Sequence, residues 1–210
     1  IVSTAAGRDL GIETFGARRS TKVMQGRLQR AGQRSRGIRS LIAVNKDAKA
    51  LVNTGFRPQA IWGMEAQGLS PTALRRLRSL VAGMSGAKHP GGCATVAIRL
   101  AFNEHSDPLI HGRFQLFQEW FHTLDALEDQ RQAVVLAWGR LVPQLRASPQ
   151  AWLRVKVTMS AVIASLFEIR WEPTSATYWV DSEGETFDLR YTDPGVLLEY
   201  ALKGALSQHI

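Results

Sequence analysis

The chain has 210 residues, enough for one large domain or two small ones, and its apolar fraction of 45% excludes wholesale disorder. The net charge of +8 is uneven: residues 1–90 carry 16 basic and 4 acidic side chains, and residues 91–210 carry 10 and 14. Only the first half therefore suits a polyanion, with nucleic acid the first candidate and an anionic membrane the second. Cys93 stands alone, which excludes an internal disulfide and fits a reducing, intracellular setting, nuclear or cytoplasmic. No apolar run approaches membrane-span length, and no charged-then-apolar secretion signal opens the chain.

In chain order, residues 1–17 are β-permissive and punctuated by glycine, as at the end of a strand or in a hairpin. Residues 18–39 then carry eight basic side chains and no acid: Arg18, Arg19, Lys22, Arg27, Arg30, Arg34, Arg36 and Arg39. Met24, Leu28, Ala31, Ser35, Ile38 and Ile42 recur at helical spacing, so a helix is expected over about 20–44 with one packing seam. Arg27, Arg30 and Arg34 form a neighbouring stripe. A merely soluble helix face mixes its charges, whereas unbalanced positive charge repels itself, and that directs attention to an anionic partner. The small residues of the seam and its lack of an aromatic anchor make a membrane surface the poorer fit.

Residues 46–69 are predicted helical, with Pro58 as a kink or break. Ser70-Pro71 reads as a cap and first turn of a helix whose Leu74, Leu77, Val81 and Met84 share a face, with Arg75, Arg76 and Arg78 elsewhere on it. A glycine-rich loop follows at 86–92, and a short helix is expected over 93–102. Asp107-Pro108 opens another helix, in which Phe114, Phe117, Trp120, Phe121 and Leu124 form a wide core face. Two helices are predicted near 128–146 and 150–168, the second capped by Ser148-Pro149. Tyr178–Val180 and Thr186–Asp188, joined by a turn with a late glycine, read as a β-hairpin. Asp193-Pro194 caps a last helix through about Ser207. The expected fold is mainly α, a helical bundle with a small C-terminal β-hairpin and a terminal helix. Its parts are 1–17, a basic helical 18–125, and a helical 126–210 with the hairpin near 178–189.

The chain contains no HExxH, CxxC, GxSxG or P-loop pattern. His105, Asp107 and His111 are spaced so that a metal could be held, but scattered loop histidines are mostly bland. Gly83-Met-Ser-Gly86-Ala-Lys88 lacks the lysine–hydroxyl pair of a phosphate loop and reads as a helix end. The acids Asp125, Glu128 and Asp129, and those of the hairpin, include no adjacent aspartate pair. No complete active site is visible, so catalysis within these residues is not expected.

One set of motifs resembles a known family. Asp9-Leu10-Gly11-Ile12, the basic helix, Pro58-x-x-x-Trp62-Gly63-x-Glu65, Leu69-Ser70 and Leu74-Arg-Arg-Leu77 resemble the region after the palm of non-LTR retrotransposon reverse transcriptases. Asp107-Pro108-Leu109 with Arg113 resembles a downstream segment of that family. Trp179-x-Asp181-x-x-Gly184-x-x-Phe187-Asp188-Leu189 resembles the tails of reverse-transcriptase-like open reading frames of dinoflagellate type. The resemblance implies a thumb-like bundle over 18–125, preceded by the end of a palm-like strand region. It implies a non-catalytic thumb and connection fragment that grips a template–primer duplex by its backbone. Arg19, Lys22, Arg27, Arg30 and Arg34 would contact phosphates, with Arg75, Arg76 and Arg78 as a second line. It places the catalytic aspartates of an RNA-directed DNA polymerase, and its magnesium, in a palm upstream of Ile1. The partners implied are the duplex and the upstream palm and fingers of the same polyprotein, with no membrane and no cofactor in this chain. Two other readings stand beside it: a helical protein–protein module whose Met24–Ile42 seam is an interface, and a retroelement remnant without activity. Trp62, beside Gly63, is expected in the core first and on nucleic acid second.

Overall fold

The computed structural model describes residues 6–9, 12–15, 22–86, 93–103 and 106–207. Two short strands, β1 (Ala6–Asp9) and β2 (Ile12–Phe15), pair antiparallel as a hairpin. Helix α1 (Lys22–Val44) follows. A 3-10 turn over Lys46–Lys49 and a π turn over Val52–Phe56 lead into α2 (Arg57–Ile61), α3 (Met64–Gln67) and α4 (Pro71–Met84). Next come α5 (Ala94–Ala101), α6 (Pro108–Ala126), α7 (Arg131–Arg146) and α8 (Thr158–Glu168). Strands β3 (Glu172–Ser175), β4 (Tyr178–Val180) and β5 (Thr186–Asp188) precede α9 (Pro194–Ser207). The protein is mainly helical, with a small antiparallel sheet and a C-terminal helix. No helix among the described residues is long and apolar enough to cross a membrane.

The α1 seam is internal. Leu28, Ala31, Ser35, Ile38 and Ile42 are all buried, and α1 packs along α4, where Leu74, Leu77, Val81 and Met84 are also buried. Each large aliphatic side chain so buried contributes roughly 1.5–3 kcal/mol, so the seam acts as core and not as a docking face. Packing continues past residue 125. The apolar core runs from Leu28 to Leu198, and α6 contacts α3, α4, α8 and α9. Gly112 permits the α3–α6 approach, because a Cβ there would stand 2.8 Å from Met64 Cε.

The stretch over 46–69 departs from one continuous helix. Pro58 lies in the first turn of α2, where its missing N–H costs nothing, and the π turn directly upstream absorbs the extra residue. The chain breaks instead at Trp62-Gly63, where Gly63 takes φ 76°, a left-handed conformation that suits glycine. That reversal turns the Trp62 side chain outward, 54% exposed, which corrects its expected place in the core. The helix expected over 150–168 also divides. A 3-10 turn covers Ala151–Leu153, and α8 starts at Thr158, where Ser160 Oγ accepts from the Lys156 and Val157 N–H groups at 3.0 and 3.1 Å. Ser148-Pro149 therefore caps no α-helix.

Aromatic rings fasten the C-terminal sheet to the helices. Trp120 on α6 and Trp138 on α7 lie 5.3 Å apart between ring centres. Their indole N–H groups donate to the carbonyls of Ala176 and Pro173, each at 3.1 Å. Trp179 on β4 meets Phe117 of α6, and Phe187 on β5 stacks on Trp171. The hairpin expected from sequence is present, with Trp179 opposite Phe187, and β3 adds a third strand beside β4. Gly184 sits late in the β4–β5 turn at φ 92°.

Arg78 and Asp107 form the buried polar joint of the fold. Arg78 Nε lies 3.0 Å from Asp107 Oδ1, with the side chains 7% and 2% exposed, and a second nitrogen of Arg78 donates to Thr95 Oγ1. Asp107 Oδ1 also accepts from the Leu109 N–H at 2.9 Å, capping α6. One carboxylate thus joins α4, α5 and α6. Arg78→Ala leaves it buried without its counter-charge and should cost about 3–5 kcal/mol in urea unfolding. The double change Arg78→Met with Asp107→Asn keeps the cap, removes both charges and should cost clearly less.

Candidate nucleic-acid interface

Seven of the basic side chains of the first half fall into three groups by where they lie. Arg27 and Arg34 reach across to α2. Arg27 Nη1 donates to the Trp62 carbonyl, and Arg34 Nη1 donates to Gln59 Oε1 at 2.8 Å. Arg30 lies between them on the same stripe, exposed. This half of the stripe therefore clamps α2 onto α1 as well as facing solvent. Arg78 is in the buried joint, a correction to its expected place in a second phosphate-binding line: its guanidinium is held by Asp107 and cannot reach a ligand outside. Lys22 opens α1, its side chain outside the described residues, and Arg19 lies outside them altogether.

The third group lines a shallow groove of about 430 Å³ between α1 and α4. Arg36 and Arg39 come from α1 and Arg76 from α4, with Gln29, Gln33 and Ser79 between them. Arg36, Arg39 and Arg76 are exposed, and neither helix contains an acidic residue. Arg39, Arg75 and Arg76 form no ion pair among the described residues, and Arg36 Nε reaches only the Gly32 carbonyl at 3.4 Å. The geometry follows from the seam. At 3.6 residues per turn, Arg27, Arg30 and Arg34 fall along one edge of the Leu28–Ile42 seam and Arg36 and Arg39 along the other. When the seam packs on α4, one edge meets α2 and the other opens beside Arg76. Of the residues expected to bind, Arg76 is thus joined by Arg36 and Arg39, which the stripe at 27–34 did not single out. The usable signal was their one-turn spacing on the far side of the seam.

Three guanidinium groups held near one another without carboxylates suit phosphates, since each presents planar N–H forks to anionic oxygens. Gln29, Gln33 and Ser79 add uncharged hydrogen-bonding groups between the guanidiniums.

The other side chains considered for chemistry are differently used. His105 lies outside the described residues, and Asp107 is engaged with Arg78. No group of three His, Cys, Asp or Glu side chains that could hold a metal occurs among the described residues. Arg113, expected only as part of a family pattern, is fully buried on α6. It donates to Ser165 Oγ and pairs with Glu168, and burial pulls its guanidinium below its ordinary basicity while Glu168 opposes that shift. Comparison with family profiles, with curated proteins and with solved structures gave no match.

Two measurements bear on these charges. Arg36 and Arg39 stand one turn apart and repel, a penalty of about 0.2–0.5 kcal/mol per pair in water. Changing Arg36, Arg39 and Arg76 together to Gln should therefore raise the melting temperature at low ionic strength, and the gain should vanish near 1 M salt, where the Debye length falls to about 3 Å. His111 is held neutral, with its pKa lowered to about 4 by burial and by the Arg57 charge. Its folded value lies below its unfolded one, so its contribution is complete above the unfolded value and declines as pH falls towards 4. Thermal unfolding from pH 7 to 4 should fall less steeply for His111→Gln than for the unaltered chain.

Proposed function

We propose that this chain is a non-catalytic helical module that grips nucleic acid by its backbone, acting as the thumb and connection segment of a retroelement reverse transcriptase. The observation that carries this reading is the α1–α4 groove, in which Arg36, Arg39 and Arg76 converge on a surface whose two helices contain no carboxylate. Its ligand is a template–primer duplex, held by phosphates irrespective of sequence, as a polymerase that advances along its substrate requires. The resemblance of the Pro58–Glu65 and Leu69–Leu77 motifs to the segment after a reverse-transcriptase palm supports the same reading. Chemistry then belongs to a palm elsewhere in the polyprotein, and this chain contributes grip.

Arginine is the fitting residue for that task. Its fork stays charged at all relevant pH and pairs bidentately with phosphate oxygens. Arg75, exposed on α4, extends the positive surface beyond the groove.

The test is fluorescence anisotropy of a labelled RNA–DNA duplex across a salt series. Arg36→Glu, Arg39→Glu and Arg76→Glu together should weaken binding and lower the log–log salt slope by about 0.7–0.9 for each phosphate no longer neutralised. Arg27, Arg30 and Arg34 to Glu should weaken it less, because two of those side chains also hold α2. An unchanged affinity and slope in the groove variant would refute the reading.

A further inference from the structure

Arg76 borders two concavities. On one side it closes the arginine groove. On the other, with Arg75, it edges a wider cleft of about 810 Å³, within the size of small-ligand pockets. That cleft lies between the start of α1, the first turn of α4 and the segment 148–153. Its walls are Met24, Leu28, Pro71, Trp152 and Phe167. Met24, Trp152 and Phe167 are only partly buried, and part of each borders the cleft. The carboxylate that reaches the cleft, Glu168, is ion-paired with buried Arg113 and presents little net negative charge. An arginine sits against each ring: Arg113 lies 5.7 Å from the Trp152 ring centre and Arg146 lies 5.2 Å from that of Phe167.

We infer that the cleft receives an unpaired base at the end of the strand whose phosphates occupy the arginine groove. This rests on the backbone-gripping reading above. A base inside a duplex is stacked on both faces and is tied to its partner strand, whereas an unpaired one can enter a cleft and stack on aromatic walls without regard to sequence. Arg75 and Arg76 at the rim match the phosphate that joins such a base to the track in the groove, and continuity through Arg76 lets one strand use both. The chain would then distinguish a duplex with a single-stranded extension from a blunt one.

The experiment compares a fluorescent RNA–DNA duplex that is blunt with one that carries a few unpaired pyrimidines, using the full 210-residue chain. The extended duplex should bind about tenfold tighter, the size of one base stacked on one ring. Trp152→Leu should abolish that gain and leave blunt-duplex affinity unchanged. Trp152 also packs internally, so a second variant, Thr72→Trp, fills the cleft from an exposed position on α4 and should abolish the gain equally. A 4-thiouridine in the extension should crosslink to the 148–153 segment or to Phe167. Equal affinity for the two duplexes, or crosslinks confined to other segments, overturns the inference while the groove reading stands. Equal affinity is also the outcome if the cleft takes an apolar peptide side chain instead. Failure to bind either duplex refutes the groove reading and this inference with it.

Discussion

The rotation of α4 is fixed by one buried carboxylate, and the charged surface follows from that. Asp107 holds Arg78 at the centre of the joint between α4, α5 and α6. With Arg78 pointing inward, Arg76, roughly 160° away around the helix, points outward and is delivered to the groove beside α1, while Arg75 is exposed on the flank between them. The apolar face of α4 agrees with this setting, since Leu74, Leu77 and Val81 are buried in the same orientation. Electrostatics and packing therefore specify one rotation together, which neither would do as sharply alone. The ion pair itself adds little net stability, because desolvation opposes its attraction. Its worth lies in the rotation that it selects.

Arginine serves two purposes on this framework. Arg27, Arg34, Arg78 and Arg113 use their forks within the protein, on a carbonyl, an amide oxygen, a carboxylate, and a hydroxyl with a carboxylate. Arg36, Arg39, Arg75 and Arg76 have no such acidic partner among the described residues and keep their charge at the surface. Mutual repulsion among the second set is tolerated because the α1 seam and the buried joint hold their helices together regardless. Under the proposed reading, that adjacency is what a ligand's phosphates would neutralise.

Much of this was legible in the sequence, for reasons that can be named. The helices with a full apolar stripe and a polar cap, those opened by Ser70-Pro71, Asp107-Pro108 and Asp193-Pro194, begin where those caps are. The basic helix was clear because its seam is strictly periodic. What stayed hidden depends on partners distant in the chain. Arg75, Arg76 and Arg78 look alike until Asp107, far along the sequence, selects one of them. The outward turn of Trp62 follows from a left-handed glycine beside it, which the pattern of apolar residues does not reveal. The change of pattern over 167–171 signals that a strand follows, but not its bounds or pairing, because β3 is four residues long and pairs through an irregular register. The groove was missed because attention to one edge of a helix seam says nothing of the other.

The contact between α6 and α9 has a consequence for how the chain is made. Leu197 and Leu198 are buried, and α9 lies along α6 and meets Phe187 of the sheet through Tyr200. During vectorial synthesis α6 leaves the ribosome before α7, α8 and the sheet, and its apolar flank waits for a helix translated after all of them. The N-terminal helices can settle on their own seam in the meantime, since α1 and α4 are near neighbours in the chain. The second half cannot complete its interior until its final helix arrives. Translation pauses within 170–193 would prolong the interval in which the tryptophan-bearing flanks of α6 and α7 are uncovered.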